Sequence, residues 1–300
     1  MAEILDGKLV SQKIAKKLTQ EAKELGAPTL AIIQVGDKKE SSAYIERKVS
    51  FGKQVGAEVR RITLPEEATQ KEIIAEIRDL NLDFSVHGII VQLPLPKHVD
   101  RFAVIEEIDP RKDVDGLHSR NAGLLYESAF GGSDPRTVPA GLIPATARGI
   151  ITLLKHYKVA LSGKKVVVIG RSLLVGKPVA MLLLKENATV TVAHSKTEDL
   201  EKLTKTADVV IVSVGKAKFF DKKYFSKNQV VVDVGTNAEK GKKELEENPK
   251  IKLVGDVDFA TVSKVVSKIS PVPGGIGPMT VASLFENLFK AYKDQKSGRM

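Results

Sequence analysis

The stretch KKVVVIGRSLLVGKPVA, residues 164–180, decides the fold. Its β-branched run at 165–169 predicts a strand that is buried on both faces of a parallel sheet. Gly170 follows this strand, Gly176 comes six residues later, and Pro178 opens an apolar helical stretch, as proline can in a first helical turn. We therefore expect a strand, a glycine-containing turn and a helix, whose N-terminus can hold an anion on free backbone N–H groups.

This turn is a weak motif when taken alone. Arg171 and Ser172 interrupt the dinucleotide fingerprint G-x-G-x-x-G, and Pro178 stands where a Walker A loop has the Ser or Thr that binds magnesium. An ordinary strand-to-helix turn without a ligand explains the stretch about equally well.

The next strand favours a nucleotide that carries an additional phosphate. Residues 188–193 (ATVTVA) form a second apolar run, which ends in His194, Ser195 and Lys196. In dinucleotide folds an acidic side chain near this point binds the ribose of NAD, whereas a basic one suits the 2′-phosphate of NADP. Because Arg171, Ser195 and Lys196 can surround such a phosphate, we expect NADP as the cofactor.

Composition narrows the class of protein. The 300 residues, 42% of them hydrophobic, are enough for one large or two ordinary domains. The net charge of +10 is spread along the chain, which favours acidic small molecules over nucleic acid. The absence of cysteine fits a reducing compartment. Since neither a signal pattern nor a membrane-length apolar run is found, we expect a cytoplasmic protein that does not contact membranes.

Strands and helices alternate along both halves of the chain, which predicts α/β folding with parallel sheets and a boundary near Pro144. The predicted strands cover 30–35, 58–64, 88–93, 165–169, 188–193, 207–214, 229–234 and 251–254, and the predicted helices cover 8–25, 41–56, 69–80, 144–157, 179–187 and 280–292. We expect an irregular segment at 109–139 and a loose tail after Lys293. The loop at 271–280 either starts the last helix or lies against a flat ligand.

Five side chains are candidates for chemistry. Tyr44 and Lys48 share one face of a predicted helix, although a half-buried tyrosine beside a solvated lysine is more common. Gln92 lies near the carboxyl end of a predicted parallel strand, where ligands bind, but an amide bonded to the backbone is equally plausible. Asp113 and Asp115 are candidates for metal ligands or for substrate acceptors, although an ordinary turn is the most common explanation of such a pair. The five histidines lack metal-ligand spacing, so no metal is expected.

Six motifs occur together and in a fixed order. They are SSAYIERK (41–48), GIIVQLPLP (88–96), KDVDG (112–116), GRSLLVGKP (170–178), VGDVDF (254–259) and PVPGGIGPMT (271–280). In these motifs, over nearly its full length, the chain resembles the bifunctional methylenetetrahydrofolate dehydrogenase/methenyltetrahydrofolate cyclohydrolase family. The resemblance implies oxidation of 5,10-methylenetetrahydrofolate to 5,10-methenyltetrahydrofolate with hydride passing to NADP. Hydrolysis to 10-formyltetrahydrofolate follows.

The resemblance also implies two α/β domains that flank a cleft. Residues 1–144 would form the folate-binding catalytic domain, with the C-terminal helix at 278–300 packing back on it. Residues 145–277 would form a Rossmann-like NADP-binding domain. The implied partners are tetrahydrofolate derivatives, including polyglutamylated forms, and a second copy of the chain in a homodimer.

The resemblance assigns roles to individual residues. Lys48 is the implied central catalytic residue, Gln92 holds and tunes it, and Tyr44 stacks on the folate. The implied substrate contacts are Tyr44, Lys48, Gln92, Asp115, Pro273, Gly274 and Gly275, and the implied cofactor contacts are Gly170, Arg171, Ser172, Gly176, Pro178, Ser195 and Thr236. A shielded lysine bonded to a glutamine can have a pKa low enough for proton transfer near neutral pH.

Three residues, in two segments of the chain, depart from the pattern of this family. Ala145 and Ala147 stand in Pro-Ala-Thr-Ala, where the family often has Pro-Cys-Thr-Pro, and Thr236 replaces a commonly apolar residue next to the expected nicotinamide region. We expect a local change in the start of the helix and in the fit of the cofactor.

Two alternatives remain open at this point. One is another two-domain NAD(P) oxidoreductase, acting on a hydroxy acid or a shikimate-like substrate. The other is a non-catalytic protein that binds a nucleotide or a folate, which would not need Lys48 and Gln92 together.

Overall fold

The structure is a computed structural model that describes residues 1–37, 39–129, 141–239 and 252–298. Within these ranges the chain divides into two compact units. The six-stranded unit contains residues 1–10 and 146–280, and the three-stranded unit contains residues 11–128, 141–145 and 281–298. No helix in the described part of the chain is both long and apolar enough to cross a membrane.

The elements alternate along both units. The strands are β1 (Glu3–Ile4), β2 (Thr29–Val35), β3 (Glu58–Leu64), β4 (Gly88–Val91), β5 (Lys165–Ile169), β6 (Thr189–Ala193), β7 (Val209–Val212), β8 (Val230–Asp233), β9 (Asn237–Glu239), β10 (Lys252–Val254) and β11 (Lys268–Ile269). The helices are α1 (Gly7–Leu25), α2 (Lys39–Val55), α3 (Gln70–Leu82), α4 (Arg101–Glu106), α5 (Ser119–Ala129), α6 (Ala145–His156), α7 (Gly176–Lys185), α8 (Leu200–Lys205), α9 (Phe259–Val262) and α10 (Ile276–Lys296).

The three-stranded unit is built on the parallel sheet β3-β2-β4. Every residue of β2 and β4 is buried, as expected for β-branched strands with neighbours on both faces. Ile33 and Ile89 of the sheet share a buried cluster with Ile73 and Ile77 of α3. The sheet and its helices thereby place the carboxyl ends of β2 and β4 side by side.

The six-stranded unit contains a fully parallel sheet in the order β1-β11-β8-β7-β5-β6. The prediction of two α/β units with parallel sheets is confirmed. Strand β6 lies on one side of β5, and the chain then crosses to place β7 on the other side. The carboxyl ends of β5 and β7 therefore form a topological switch point, where open α/β sheets bind their ligands.

The prediction of an irregular segment at 109–139 is wrong in part, because α5 occupies Ser119–Ala129. The carboxylate of Glu106 accepts hydrogen bonds from the backbone N–H and the hydroxyl of Ser119, which fixes the start of this helix. Asn121, not an apolar residue, fills a buried position on α5, so the helix lacks a continuous apolar stripe. Residues 130–139 of the segment lie outside the described residues.

The last helix begins earlier and ends later than the helix predicted at 280–292 from the sequence pattern. Helix α10 starts at Ile276, inside the loop predicted at 271–280, and continues to Lys296, through part of the predicted tail. Pro278 is compatible with this start because it lies in the first helical turn, where a backbone N–H has no helical partner.

At the departure from the family pattern, α6 begins at Ala145, and both Ala145 and Ala147 are buried.

Candidate active site

The side chains of Lys48 and Gln92 meet at the carboxyl edge of the three-stranded sheet. Lys48 lies on α2, one helical turn from the fully buried Ile45, and Gln92 directly follows β4. The Lys48 Nζ donates a hydrogen bond of 2.9 Å to the Gln92 Oε1. The Gln92 Nε2 donates at 2.8 Å to the carbonyl of Leu93, which turns the amide oxygen toward the amine.

Burial and charge act on this amine in opposite directions. Burial lowers the pKa of Lys48, and the negative charge of Asp115 raises it. For Asp115 itself, burial raises the pKa, whereas the charge of Lys48 lowers it. Since the lowering by burial is the larger effect on Lys48, the amine can lose its proton nearer to neutral pH than an ordinary lysine. This property suits a general base and acid.

The two carboxylates of the KDVDG motif have different surroundings. The buried Asp113 accepts hydrogen bonds from the backbone N–H of Gly116 at 3.1 Å and of His118 at 2.8 Å, and from the Asn121 side chain at 2.9 Å. The interpretation as an ordinary turn is therefore right for Asp113. Asp115 instead interacts electrostatically with the amine of the site.

A buried lysine anchors the beginning of the same motif. The Lys112 Nζ donates to the backbone carbonyls of Leu80 at 3.0 Å, Asn81 at 2.8 Å and Asp83 at 2.8 Å. These carbonyls lie at the end of α3, where they lack helical partners. Lys112 thus has a structural role as a C-terminal cap, which the sequence reasoning did not anticipate.

The side chain of one buried asparagine on helix α10 holds the loop that carries Asp115. The Asn287 Nδ2 donates to the carbonyl of Val114 at 2.9 Å and to that of Ile143 at 2.7 Å. The sequence reasoning missed Asn287. The only sequence signal for Asn287 is that a polar residue stands between Leu284 and Leu288, at a position where the hydrophobic period of the helix predicts a buried side chain.

Tyr44 lies one turn before Lys48 on α2, on the face that the spacing predicts. Its ring is half-buried, and the guanidinium carbon of Arg47 lies 5.2 Å from the ring centroid. This is a cation–π distance. The environment of Tyr44 is compatible both with stacking on a ligand and with the more common half-buried tyrosine.

The predicted substrate residues Pro273, Gly274 and Gly275 belong to the six-stranded unit. They follow β11 on the carboxyl side of its sheet. The carbonyl of Gly274 accepts hydrogen bonds from the backbone N–H of Gly7 at 2.9 Å and of Lys8 at 3.2 Å. Within this unit the loop therefore holds the start of α1.

The turn after β5 has room for glycine only. Gly170 has a φ of +121°, and a Cβ added there would lie 2.2 Å from the carbonyl oxygen of Ser213. A Cβ added at Gly176 would lie 2.2 Å from the carbonyl oxygen of Gly170. Such contacts bring the two backbones close together, as a dinucleotide-binding turn requires.

The prediction of free N–H groups at the start of α7 is wrong. The Ser172 Oγ accepts hydrogen bonds from the backbone N–H of Val175 at 3.1 Å and of Gly176 at 3.4 Å. The Ser172 carbonyl accepts from Lys177 at 3.0 Å, and Pro178 has no N–H. Ser172 therefore already satisfies the N–H groups at the start of this helix, and an anion would first have to displace its hydroxyl.

The predicted phosphate contacts lie on neighbouring strands. Ile169 of β5 pairs with Ala193 of β6, so Arg171 and Ser195 leave the sheet at the same level. Arg171, Ser195 and Lys196 are all exposed, and two of them are cations. This edge therefore fits the 2′-phosphate of NADP. Thr236 is also exposed, after β8.

Comparisons with known proteins point in the same direction as this geometry. The family model of the tetrahydrofolate dehydrogenase/cyclohydrolase catalytic domain matches residues 5–115. The family model of the tetrahydrofolate dehydrogenase/cyclohydrolase NAD(P)-binding domain matches residues 144–296. The bifunctional protein FolD of Agathobacter rectalis is 44% identical over 297 residues, which cover 98% of this chain and 100% of that protein.

Two solved structures are similar over their whole length. The bifunctional enzyme FolD from Campylobacter jejuni has a TM-score of 0.87 and 41% identity, covering 98% of this chain and 99% of that one. The N5,N10-methylenetetrahydrofolate dehydrogenase-cyclohydrolase of Trypanosoma brucei was solved with NADP cofactor and an inhibitor. It has a TM-score of 0.90 and 35% identity, covering 100% of this chain and 99% of that one.

Proposed function

This chain belongs to the tetrahydrofolate dehydrogenase/cyclohydrolase family, and we propose the residues that carry its two activities. It oxidises 5,10-methylenetetrahydrofolate to 5,10-methenyltetrahydrofolate with NADP, and it hydrolyses the methenyl compound to 10-formyltetrahydrofolate. The observation that carries the assignment of residues is the 2.9 Å hydrogen bond between the Lys48 Nζ and the Gln92 Oε1, next to the charge of Asp115.

Lys48 is the proton carrier of the hydrolysis. The one-carbon unit of methenyltetrahydrofolate is already an electrophilic cation, so water can add to it if a base removes a proton from that water. The neutral amine of Lys48 takes this proton and returns it to the ring nitrogen whose bond to the carbon breaks. The second proton of the added water leaves to solvent as the formyl C=O forms, which accounts for the lost positive charge. Its lowered pKa makes the neutral form accessible near neutral pH.

Gln92 and Asp115 position the reacting groups. The Gln92 Oε1 accepts one N–H of the amine, and the anchored amide thereby fixes the direction in which the amine can take up a proton. Asp115 accepts the N–H groups of the pterin ring, and Tyr44 stacks on the folate. Asp113, Lys112 and Asn287 act at a distance, because they hold the loop that carries Asp115.

The six-stranded unit holds the cofactor. When bound, NADP supplies the nicotinamide that accepts the hydride. Gly170 and Gly176 let the backbone approach it closely, and Arg171, Ser172 and Ser195 contact its phosphates. Pro178 and Thr236 complete the proposed contacts, and Pro273 to Gly275 contribute to binding the folate.

The division of labour follows the two matched domains. We assign folate binding to residues 11–144 with the C-terminal helix, and NADP binding to residues 145–277 together with residues 1–10, because residues 1–10, which were expected in the folate-binding domain, belong to the six-stranded unit. The grouping of Lys48, Gln92 and Asp115 in one compact unit supports this division. From the family alone we further propose a cytoplasmic homodimer that accepts polyglutamylated folates and provides 10-formyltetrahydrofolate for purine synthesis.

One assay tests the function. Purified protein with methylenetetrahydrofolate and NADP should produce the absorbance of the methenyl compound, which should then decay by hydrolysis. Replacing NADP by NAD should slow the first phase. If the absorbance does not change, another two-domain NAD(P) oxidoreductase becomes the better explanation; if the cofactor binds without turnover, a non-catalytic protein does.

A further inference from the structure

A buried carboxylate, that of Asp256, holds the backbone that follows β7. Its Oδ2 accepts hydrogen bonds from the N–H of Val214 at 2.7 Å and of Gly215 at 3.0 Å. Its Oδ1 accepts from the N–H of Lys216 at 2.7 Å. Three consecutive backbone N–H groups thus converge on one fully buried acceptor, in the way that a loop converges on a bound anion.

The same carboxylate holds the segment that follows β8. The Asn237 Nδ2 donates to the Asp256 Oδ1 at 2.9 Å. A Cβ added at Gly235 would lie 2.2 Å from the carboxyl carbon of Asp256, so the backbone there passes directly against this group. Thr236, a proposed cofactor contact, lies between these two residues. Asp256 therefore joins the segments 214–216 and 235–237.

A second buried carboxylate fixes Asp256 in turn. The Asp233 Oδ1 accepts from the backbone N–H of Asp256 and of Gly235, both at 3.0 Å, and its Oδ2 accepts from Val257 at 2.9 Å. A Cβ added at Gly255 would lie 1.8 Å from the Asp233 Oδ2. The position of Asp256 is thus set by the end of β8.

The segment that Asp256 holds lies at the switch point of the sheet. Strands β5 and β7 are neighbours, and the turn at Gly170 touches the carbonyl of Ser213, directly before this segment. Dinucleotides bind in the crevice at such a point. Because the 2′-phosphate is assigned to the ends of β5 and β6, the nicotinamide half belongs on the side of β7 and β8.

We propose that Asp256 is a positioning residue for the dinucleotide, fixing the segments 214–216 and 235–237 as the wall for its nicotinamide half. This inference rests on the proposed function of the six-stranded unit as the NADP-binding unit. Asp256 acts through the backbone and does not touch the cofactor. Without its carboxylate, NADP would have to order both segments on binding, and its affinity would fall.

The test replaces Asp256 by Asn. The amide keeps one acceptor oxygen and turns an NH2 group toward backbone donors, so part of the N–H cluster loses its acceptor. We expect the Kd of NADP, measured by isothermal titration calorimetry, to rise roughly tenfold or more. At saturating NADP the dehydrogenase kcat should stay within about threefold of wild type, and cyclohydrolase activity should not change.

Two further variants make the result specific. Gly235→Ala leaves the charge in place but pushes a methyl group against the carboxyl of Asp256, and it should weaken NADP binding in the same way. Asp221→Asn is the matched control, because this carboxylate in the same unit accepts one backbone N–H, from Lys223 at 2.9 Å. It should leave the NADP affinity unchanged.

The outcomes separate this inference from the proposed function. Unchanged NADP affinity in Asp256→Asn, in a protein with both wild-type activities, would overturn the inference. Loss of cyclohydrolase activity together with NADP binding in both Asp256→Asn and Gly235→Ala would also overturn it, because Asp256 would then support the whole fold. A wild-type protein that does not bind NADP would overturn the proposed function instead.

Discussion

Replacing Lys48 by Met removes the amine of the candidate site but keeps a side chain of similar length. General acid–base catalysis typically contributes about 100- to 10,000-fold, which corresponds to roughly 2.7–5.5 kcal/mol of activation free energy. We expect the cyclohydrolase rate to fall by that factor. Folate binding should change by less than about tenfold, because Tyr44 and Asp115 remain. NADP binding, assigned to the other unit, should not change.

Lys48→Arg separates proton transfer from positive charge. Arginine keeps a cation and a donor for the Gln92 Oε1, but its guanidinium stays protonated at neutral pH. If the neutral amine is the base, the Arg variant should be as inactive as the Met variant. If only the charge matters, the Arg variant should retain activity.

The pH dependence provides an independent check. With a neutral amine as the base, the hydrolysis rate should rise with pH and level off above the pKa of Lys48. Asp115 raises that pKa, so Asp115→Asn should move the profile to lower pH. Decay of the methenyl absorbance between about pH 6 and 9 measures both effects. Near wild-type hydrolysis by Lys48→Arg, or a pH–rate profile of Asp115→Asn that matches that of the wild type, would refute the reasoning.

Three further predictions concern the cofactor, the fold and its pH dependence. Arg171→Ala should weaken NADP binding more than NAD binding in parallel titrations, because only NADP has the 2′-phosphate. Asn287→Ala should lower the free energy of unfolding in urea by about 2–4 kcal/mol, since the buried carbonyls of Val114 and Ile143 lose their donor. Burial raises the pKa of Asp233 from 3.8 to about 7, so this group stabilises the fold below about pH 4 and the stabilisation is lost as the pH rises through about 7. Asp233→Asn should remove that loss when unfolding is compared at acidic pH and above neutral pH.

Each of these predictions has a matched control or a contrary result. Equal losses of NAD and NADP affinity would speak against a phosphate contact by Arg171. For Asn287→Ala the control is Gly123→Ala inside α5, where an added Cβ meets nothing within 4 Å and stability should hold or rise by up to about 1 kcal/mol, since Ala favours a helix over Gly. For Asp233, a difference between variant and wild type that is constant with pH would show that its titration does not matter.

The sequence predicts most of the fold because buried parallel strands are continuous β-branched runs. The runs that form β5 and β8 are recognisable within the surrounding sequence for this reason alone. The order of the strands in the sheet cannot be predicted from the sequence, since it depends on crossovers between distant segments. The short elements β1 and α4 are not predicted, because segments of two and six residues are too short to show a hydrophobic period.

The candidate site is predictable only in part. Gln92 is recognisable as an amide inside an apolar run, but its contact with Lys48, 44 residues away, follows from the packing of α2 on the sheet. Asp113 and Asp115 look alike in sequence, and only the turn around Asp113 distinguishes them. The acceptor role of Asp256 depends on backbone groups 40 to 42 residues away, so no local pattern predicts it.

The pairing of β1 with β11 has a consequence for how the chain is made. Glu3 forms an ion pair with Lys268, 265 residues further along, and Leu5 is fully buried beside β11. At a translation rate of about 5–20 residues per second, roughly 13–53 s separate the synthesis of these two partners. Strand β1 therefore has to wait for its partner strand, and its backbone groups stay open to other strands until β11 has been made.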